Sequence, residues 1–136
     1  MKFATYRYNE NEKPRFGYKR KNYIVDIEKS AKWVEEKNND KTFMEIPSTL
    51  KEALNNWEIN FKKISHLNQI ITDEDISENN SIACIETDCE LLPPIPNPQS
   101  FRDFYAFEQH VRSARKLRGL DMHPDWFKIP IFYFSN

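Results

Sequence analysis

The run "PPIPNPQ", residues 93–99, sets the first limit on what this chain can build. Its prolines Pro93, Pro94, Pro96 and Pro98 fix φ and lack an N–H, so neither a helix interior nor a central strand can pass through them. The chain is expected to divide there, into a domain at residues 1–92 and a second segment at residues 93–136. With 136 residues and 39% hydrophobic content, one modest core and a fragment of another fit, whereas two full domains do not.

Upstream of the prolines the pattern begins with alternation. Phe3, Thr5 and Arg7 alternate with Lys2, Ala4, Tyr6 and Tyr8, and the polar cluster "NENEKP" follows as turn material. The runs "RFGYK" and "NYIVDI" complete an antiparallel three-stranded meander from Lys2 to Ile27. Asp26 is a good N-cap for "IEKSAKWVEEKNN", in which Ile27, Ala31 and Val34 share one helical face. Pro47 and Ser48 then open a longer helix. Its stripe of Leu50, Leu54, Trp57, Phe61, Ile64, Leu67 and Ile71 steps by three or four residues over about six turns. Aromatic stripe positions suit packing on the meander better than a coiled-coil seam. "SIACIE" and "CELLPPIP" read as two further short strands. The expected fold class is α+β: a small N-terminal domain of antiparallel strands and packed helices, followed by a fragment of a second, β-rich domain.

Beyond the prolines, Ser100 and Asp103 have capping-box-like spacing, which predicts a helix from Phe101 to Leu117 that Gly119 ends. The final segment, "DWFKIPIFYFSN", reads as a strand. Ile129, Ile131, Phe132, Tyr133 and Phe134 make it densely apolar, with no later segment to pair with it before Asn136. An unpaired apolar edge invites aggregation, so the expectation is a chain cut short.

Composition excludes several function classes. Lysine plus arginine at 20 against aspartate plus glutamate at 21 gives a net charge of −1, too little for an extended nucleic-acid footprint. No run of about 18 apolar residues occurs, and the first residues lack the apolar region of a signal peptide, which predicts a cytoplasmic chain without a membrane partner. With only two glycines, Gly17 and Gly119, no glycine-rich phosphate cradle is present. Cys84 and Cys89 lack the second pair that a zinc site needs and are read as reduced structural thiols.

The stretch "FRDFYAFEQHVRSARKLRG", residues 101–119, mixes a carboxylate, a tyrosine, an imidazole and a run of basic side chains. On one helix, Asp103 and His110 would lie two turns apart on nearly the same face, with about 10 Å of rise between them. That spacing is too long to chelate one ion. It would let the carboxylate hold a cation at the helix start while the imidazole acts as a base farther along. The plainer alternative makes Asp103 a cap and His110 a packed or solvated side chain. Tyr105 and Tyr133 offer hydroxyls to a substrate oxygen, or serve as core with a wet edge. Arg112, Arg115, Lys116 and Arg118 offer cations to a carboxylate, or form a solvated face.

The segment "PPIPNPQSFRDFYAFEQHVRSARKLRGLDMHPDWFKIPIFYFSN" resembles the fumarylacetoacetate hydrolase family. "RDFYAFEQHV" and "PDWFKIPIFYFSN" carry the likeness in the family's order and approximate spacing, over residues 91–136. Residues 1–90 look like the variable domain that precedes the catalytic domain in some members. The resemblance implies metal-dependent carbon–carbon hydrolysis of small keto or diketo acids, with tautomerisation or decarboxylation in some relatives. It implies Asp103 as a carboxylate ligand of Mg²⁺ or Ca²⁺ and His110 as the base that activates water. Tyr105 and Tyr133 become substrate contacts, and Arg118, with Arg115 as alternative, meets the substrate carboxylate. A chelated divalent ion would draw off carbanion charge as a Lewis acid, and imidazole titrates near neutrality.

In the family most carboxylate ligands come from a "glutamate-x-glutamate" strand and an aspartate farther downstream. The expectation is therefore a truncated member that binds no metal tightly and is inactive by itself. Its expected partners are a small keto or diketo acid in the complete enzyme, and a second copy of the chain or a complementing C-terminal half. The competing reading is a non-catalytic module that docks through its exposed C-terminal strand.

Overall fold

The meander forms as β1 (Lys2–Arg7), β2 (Arg15–Arg20) and β3 (Tyr23–Asp26), each antiparallel to the one before. We describe it from a computed structural model, in which Asp40 and Asn136 lie outside the described residues. The chain divides into two compact units between Pro96 and Asn97, within the proline run. Its fold class is α+β.

Period-two alternation sorts the first unit's strands into two faces. The register places Phe3 opposite Tyr18, Thr5 opposite Phe16 and Tyr18 opposite Val25, so these side chains share one face. That face is covered by α1 (Ile27–Asn38), α2 (Leu50–Asn55), α3 (Trp57–Ile70) and α4 (Asp73–Glu78), and Phe16, Tyr18, Val25, Ala31, Ile64 and Leu67 form its core. Asp26 caps α1 as its sequence position suggests: Oδ1 accepts from Lys29 N at 2.8 Å.

The single long helix expected from Leu50 to Ile71 is two helices. Asn56, at φ −142° and ψ 63°, breaks it. The Asn60 side-chain amide donates to the carbonyl of Ala53 at 3.0 Å, so an oxygen that a continuous helix would have paired is satisfied by a side chain instead. Asparagine side chains compete well for backbone groups in this way, and Asn60 does so at the break. The stripe is accordingly divided: Leu54 and Phe61 are exposed, while Ile64, Leu67 and Ile71 are buried.

Two further strands complete the sheet. β4 (Ala83–Ile85) pairs with β3 and β5 (Glu90–Leu92) pairs with β1, giving the order β4-β3-β2-β1-β5. The two edge strands are consecutive in sequence. In a flat five-stranded sheet they would stand four spacings, about 19 Å, apart. The 3₁₀ turn Glu86–Asp88 and Cys89 join them, and such a connector reaches roughly 13 Å. The sheet therefore curls until its edges approach.

The inner face of the curl holds Tyr6, Gly17, Ile24 and Asp26, all buried. The Tyr6 hydroxyl donates to Asp26 Oδ2 at 2.7 Å, and Arg15 Nε donates to the same oxygen. Burial, with the Asp26 carboxylate beside it, holds the Tyr6 hydroxyl far above the usual tyrosine range. Gly17 is fixed by space: a Cβ there would lie 2.6 Å from the Val25 carbonyl oxygen and 2.8 Å from Ile24 Cγ2. Gly17→Ala is expected to destabilise the first unit by about 1–3 kcal/mol, read as a lowered urea midpoint.

In the second unit the structure corrects the expected helix at Phe101–Leu117. Residues Phe101–Phe104 are strand β6, paired antiparallel with β7 (Phe132–Ser135), and helix α5 runs only from Glu108 to Leu117. The deciding interaction is nonlocal: the Phe104 ring packs on Phe132 with centroids 5.2 Å apart, and the Arg102 guanidinium lies 5.0 Å from the Phe134 ring centre. Ser100 and Asp103 form no capping box, because Asp103 lies within β6 and Phe107 stands at the N-cap without a side-chain bond. The dense apolar strand is not left unpaired, since its partner is the upstream β6. Gly119 ends α5 as expected, at φ +70°, where glycine carries no Cβ penalty. Its N–H reaches Lys116 O, and that of Leu120 reaches Arg115 O, which closes the helix end. Among the described residues, no helix is long and apolar enough to cross a membrane.

Candidate functional site

Strand pairing decides which of the candidate side chains meet. Asp103 lies directly opposite Tyr133, and directly opposed residues of an antiparallel pair project from the same face. Tyr105 lies just beyond β6, two residues after Asp103. Its N–H donates to Ile131 O at 3.0 Å, and its carbonyl accepts from Trp126 Nε1 at 2.8 Å, so its backbone is held at both groups. The Tyr105 ring stands edge-on to the His110 imidazole, with centroids 6.2 Å apart and planes at 90°. One face of the β6–β7 pair thus presents Asp103 and Tyr133, and just beyond β6 the Tyr105 ring meets His110.

This arrangement replaces the helical one. Asp103 lies within β6 and not in the first turn of a helix, and its relation to His110 runs through Tyr105 rather than along two turns. His110 lies in the first turn of α5 and is exposed, which removes the alternative of a packed histidine. Arg118 is the C-cap of α5, about 12 Å along the axis from His110 and about 80° round it. The other candidate arginines have partners within the unit: Arg115 Nε donates to Asp121 O, and Arg112 pairs with Glu108 one turn back. Arg118 shares neither contact.

Asp103, Tyr105, Tyr133 and His110 offer a carboxylate, two phenols and an imidazole, a set suited to hydrogen-bonding a small oxyanion and moving a proton. As a cation site it is thin. Hard divalent ions take about six to eight oxygens, and among the described residues no three or more His, Cys, Asp or Glu side chains gather into a metal-holding group. The residues present do not by themselves fit Mg²⁺ or Ca²⁺.

Trp126 is the positioning residue that sequence reasoning misses. Its signal is "HPDW", in which Pro124 starts the 3₁₀ turn Pro124–Phe127 and His123 Nδ1 accepts from Asp125 N at 3.3 Å, aiming the indole N–H back at Tyr105.

The chain matches no protein-family model, and comparison with curated proteins gives no significant match.

Proposed function

We propose that this chain carries one wall of the active site of a fumarylacetoacetate hydrolase-like enzyme, which cleaves a carbon–carbon bond in small keto or diketo acids. The observation that carries the reading is the strand pairing that sets Asp103 opposite Tyr133, with Tyr105 next along the chain from β6 and its ring against His110. In this role the two tyrosine hydroxyls donate to substrate oxygens, the exposed imidazole of His110 takes a proton from the attacking water, and Arg118 meets the substrate carboxylate as a planar fork. Asp103 contributes one carboxylate to a Mg²⁺ or Ca²⁺ site whose other ligands come from a C-terminal half or a second chain. Alone, the polypeptide neither binds the cation tightly nor turns over substrate. It works in the cytoplasm, without nucleic acid, as part of a homo-oligomer or a two-part enzyme.

Two measurements test this. Isothermal titration of the chain with Mg²⁺ is expected to show no micromolar site, and such a site lost in Asp103→Ala would overturn the incomplete-site reading. Joined to a C-terminal half bearing the missing carboxylates, the chain is expected to hydrolyse acylpyruvates, and His110→Ala to lower kcat about 10²–10⁴-fold. A folded, metal-loaded assembly with no activity, or with activity indifferent to His110, sinks the enzyme reading.

A second reading, a docking module, draws on the opposite face of the same hairpin, where Phe104, Phe132 and Phe134 are exposed. Sedimentation at several concentrations tests it. A species that stays monomeric throughout removes its support.

A further inference from the structure

The curl of the first unit's sheet brings its edge strands β4 and β5 toward each other, and a cysteine stands at each end of the connector between them. Cys84 lies within β4, opposite Ile24, with its Sγ 3.8 Å from the Ile24 carbonyl oxygen. Cys89 immediately precedes β5, and its Sγ lies 3.4 Å from the carbonyl oxygen of Glu86, the first residue of the 3₁₀ turn between them. The two thiols and the Tyr8 hydroxyl lie close enough to act on one another's titration. Both cysteines are free and only partly buried.

The geometry points to Cys84 and Cys89 as the site of an intramolecular disulfide that fastens the closing seam of the curled sheet. The spacing suits the purpose. A bond between them ties the end of the sheet at β4 to the end at β5 across the one connector that holds the curl shut.

With a disulfide oxidant such as oxidised glutathione, the chemistry balances. The thiolate of one cysteine attacks a glutathione sulfur and releases one glutathione thiolate. The thiolate of the other attacks the protein sulfur of that mixed disulfide and releases the second. Two S–H bonds are lost from the protein, one S–S bond forms, and the two electrons and two protons leave on two molecules of reduced glutathione.

The environment makes this reaction slow at neutral pH. Burial, reinforced by the Cys84 thiol, pushes the Cys89 thiol up to about 12, and burial also raises Cys84. Only the thiolate attacks, so below these values each rise of one pH unit multiplies the reactive fraction by about ten. The seam is thus an oxidisable pair protected from casual exchange, one that closes under sustained oxidation or at raised pH.

The test uses the whole chain incubated with oxidised glutathione under native conditions at pH 7, 8 and 9. The expected product has lost two hydrogens in intact mass and gives a linked peptide containing Cys84 and Cys89. It should form about tenfold faster per pH unit. It should also melt roughly 5–15 °C higher than the reduced protein and return to the lower melting temperature on treatment with dithiothreitol. A stable mixed disulfide with glutathione on either cysteine, without progress to the linked peptide, overturns the inference. So does a native chain that stays reduced while the urea-unfolded chain forms the bond, because the folded geometry would then be what prevents it. Both readouts come from the unsubstituted protein, so no variant has to fold for the answer to count.

Discussion

Replacing Asp26 with alanine is expected to lower the stability of the first unit by about 3–5 kcal/mol. The carboxylate is 1% exposed and serves three donors: the Tyr6 hydroxyl, Arg15 Nε and the Lys29 backbone N–H that begins α1. Its removal leaves a buried hydroxyl without an acceptor, a cation without its counter-ion and a helix without its cap. The Arg15 side chain is 25% exposed and can partly rehydrate, which places the expected loss toward the lower end of that range. Tyr6→Phe should cost only about 0.5–1.5 kcal/mol, because Asp26 keeps its other two partners. Native-state hydrogen exchange at the β2 and β3 amides reads both values. A loss under 1 kcal/mol for Asp26→Ala would mean that the curl does not depend on this carboxylate.

Leu67→Ala is expected to cost about 2–5 kcal/mol, whereas Phe61→Ala, on the same apolar stripe, should cost about 1 kcal/mol. Leu67 is fully buried in the core between the helices and the sheet, while Phe61 is 40% exposed and meets Phe3 and Trp57 at the margin. Urea titration of the two variants followed by tryptophan fluorescence, with Trp57 close by, separates them. Equal losses would restore the uniform stripe that the sequence alone suggests and would contradict the marginal position of Phe61.

The candidate site was legible in residue type and much less so in geometry. Asp103, Tyr105, His110, Arg118 and Tyr133 were picked out by chemistry and by likeness to a family, and neither source places a side chain. The helical placement of Asp103 failed because "FRDFY" has no strong local preference. It carries both the alternation of a strand and polar residues that a helix start accepts, and its partner Phe132–Ser135 lies more than two dozen residues away. The expectation of an unpaired final strand failed for the same reason, since it looked only downstream for a partner.

What the sequence determined alone was whatever its neighbours in the chain could enforce. The meander, the Asp26 cap of α1, the stop at Gly119 and the break within the prolines each follow from residues a few positions apart, through alternation, side-chain capping and backbone restriction. Only the tertiary structure decided the curl of the sheet, the strand at Phe101–Phe104, and the shared face of Asp103 and Tyr133. Each of those depends on which distant segments bury surface or exchange hydrogen bonds with one another, and a local pattern leaves that choice open.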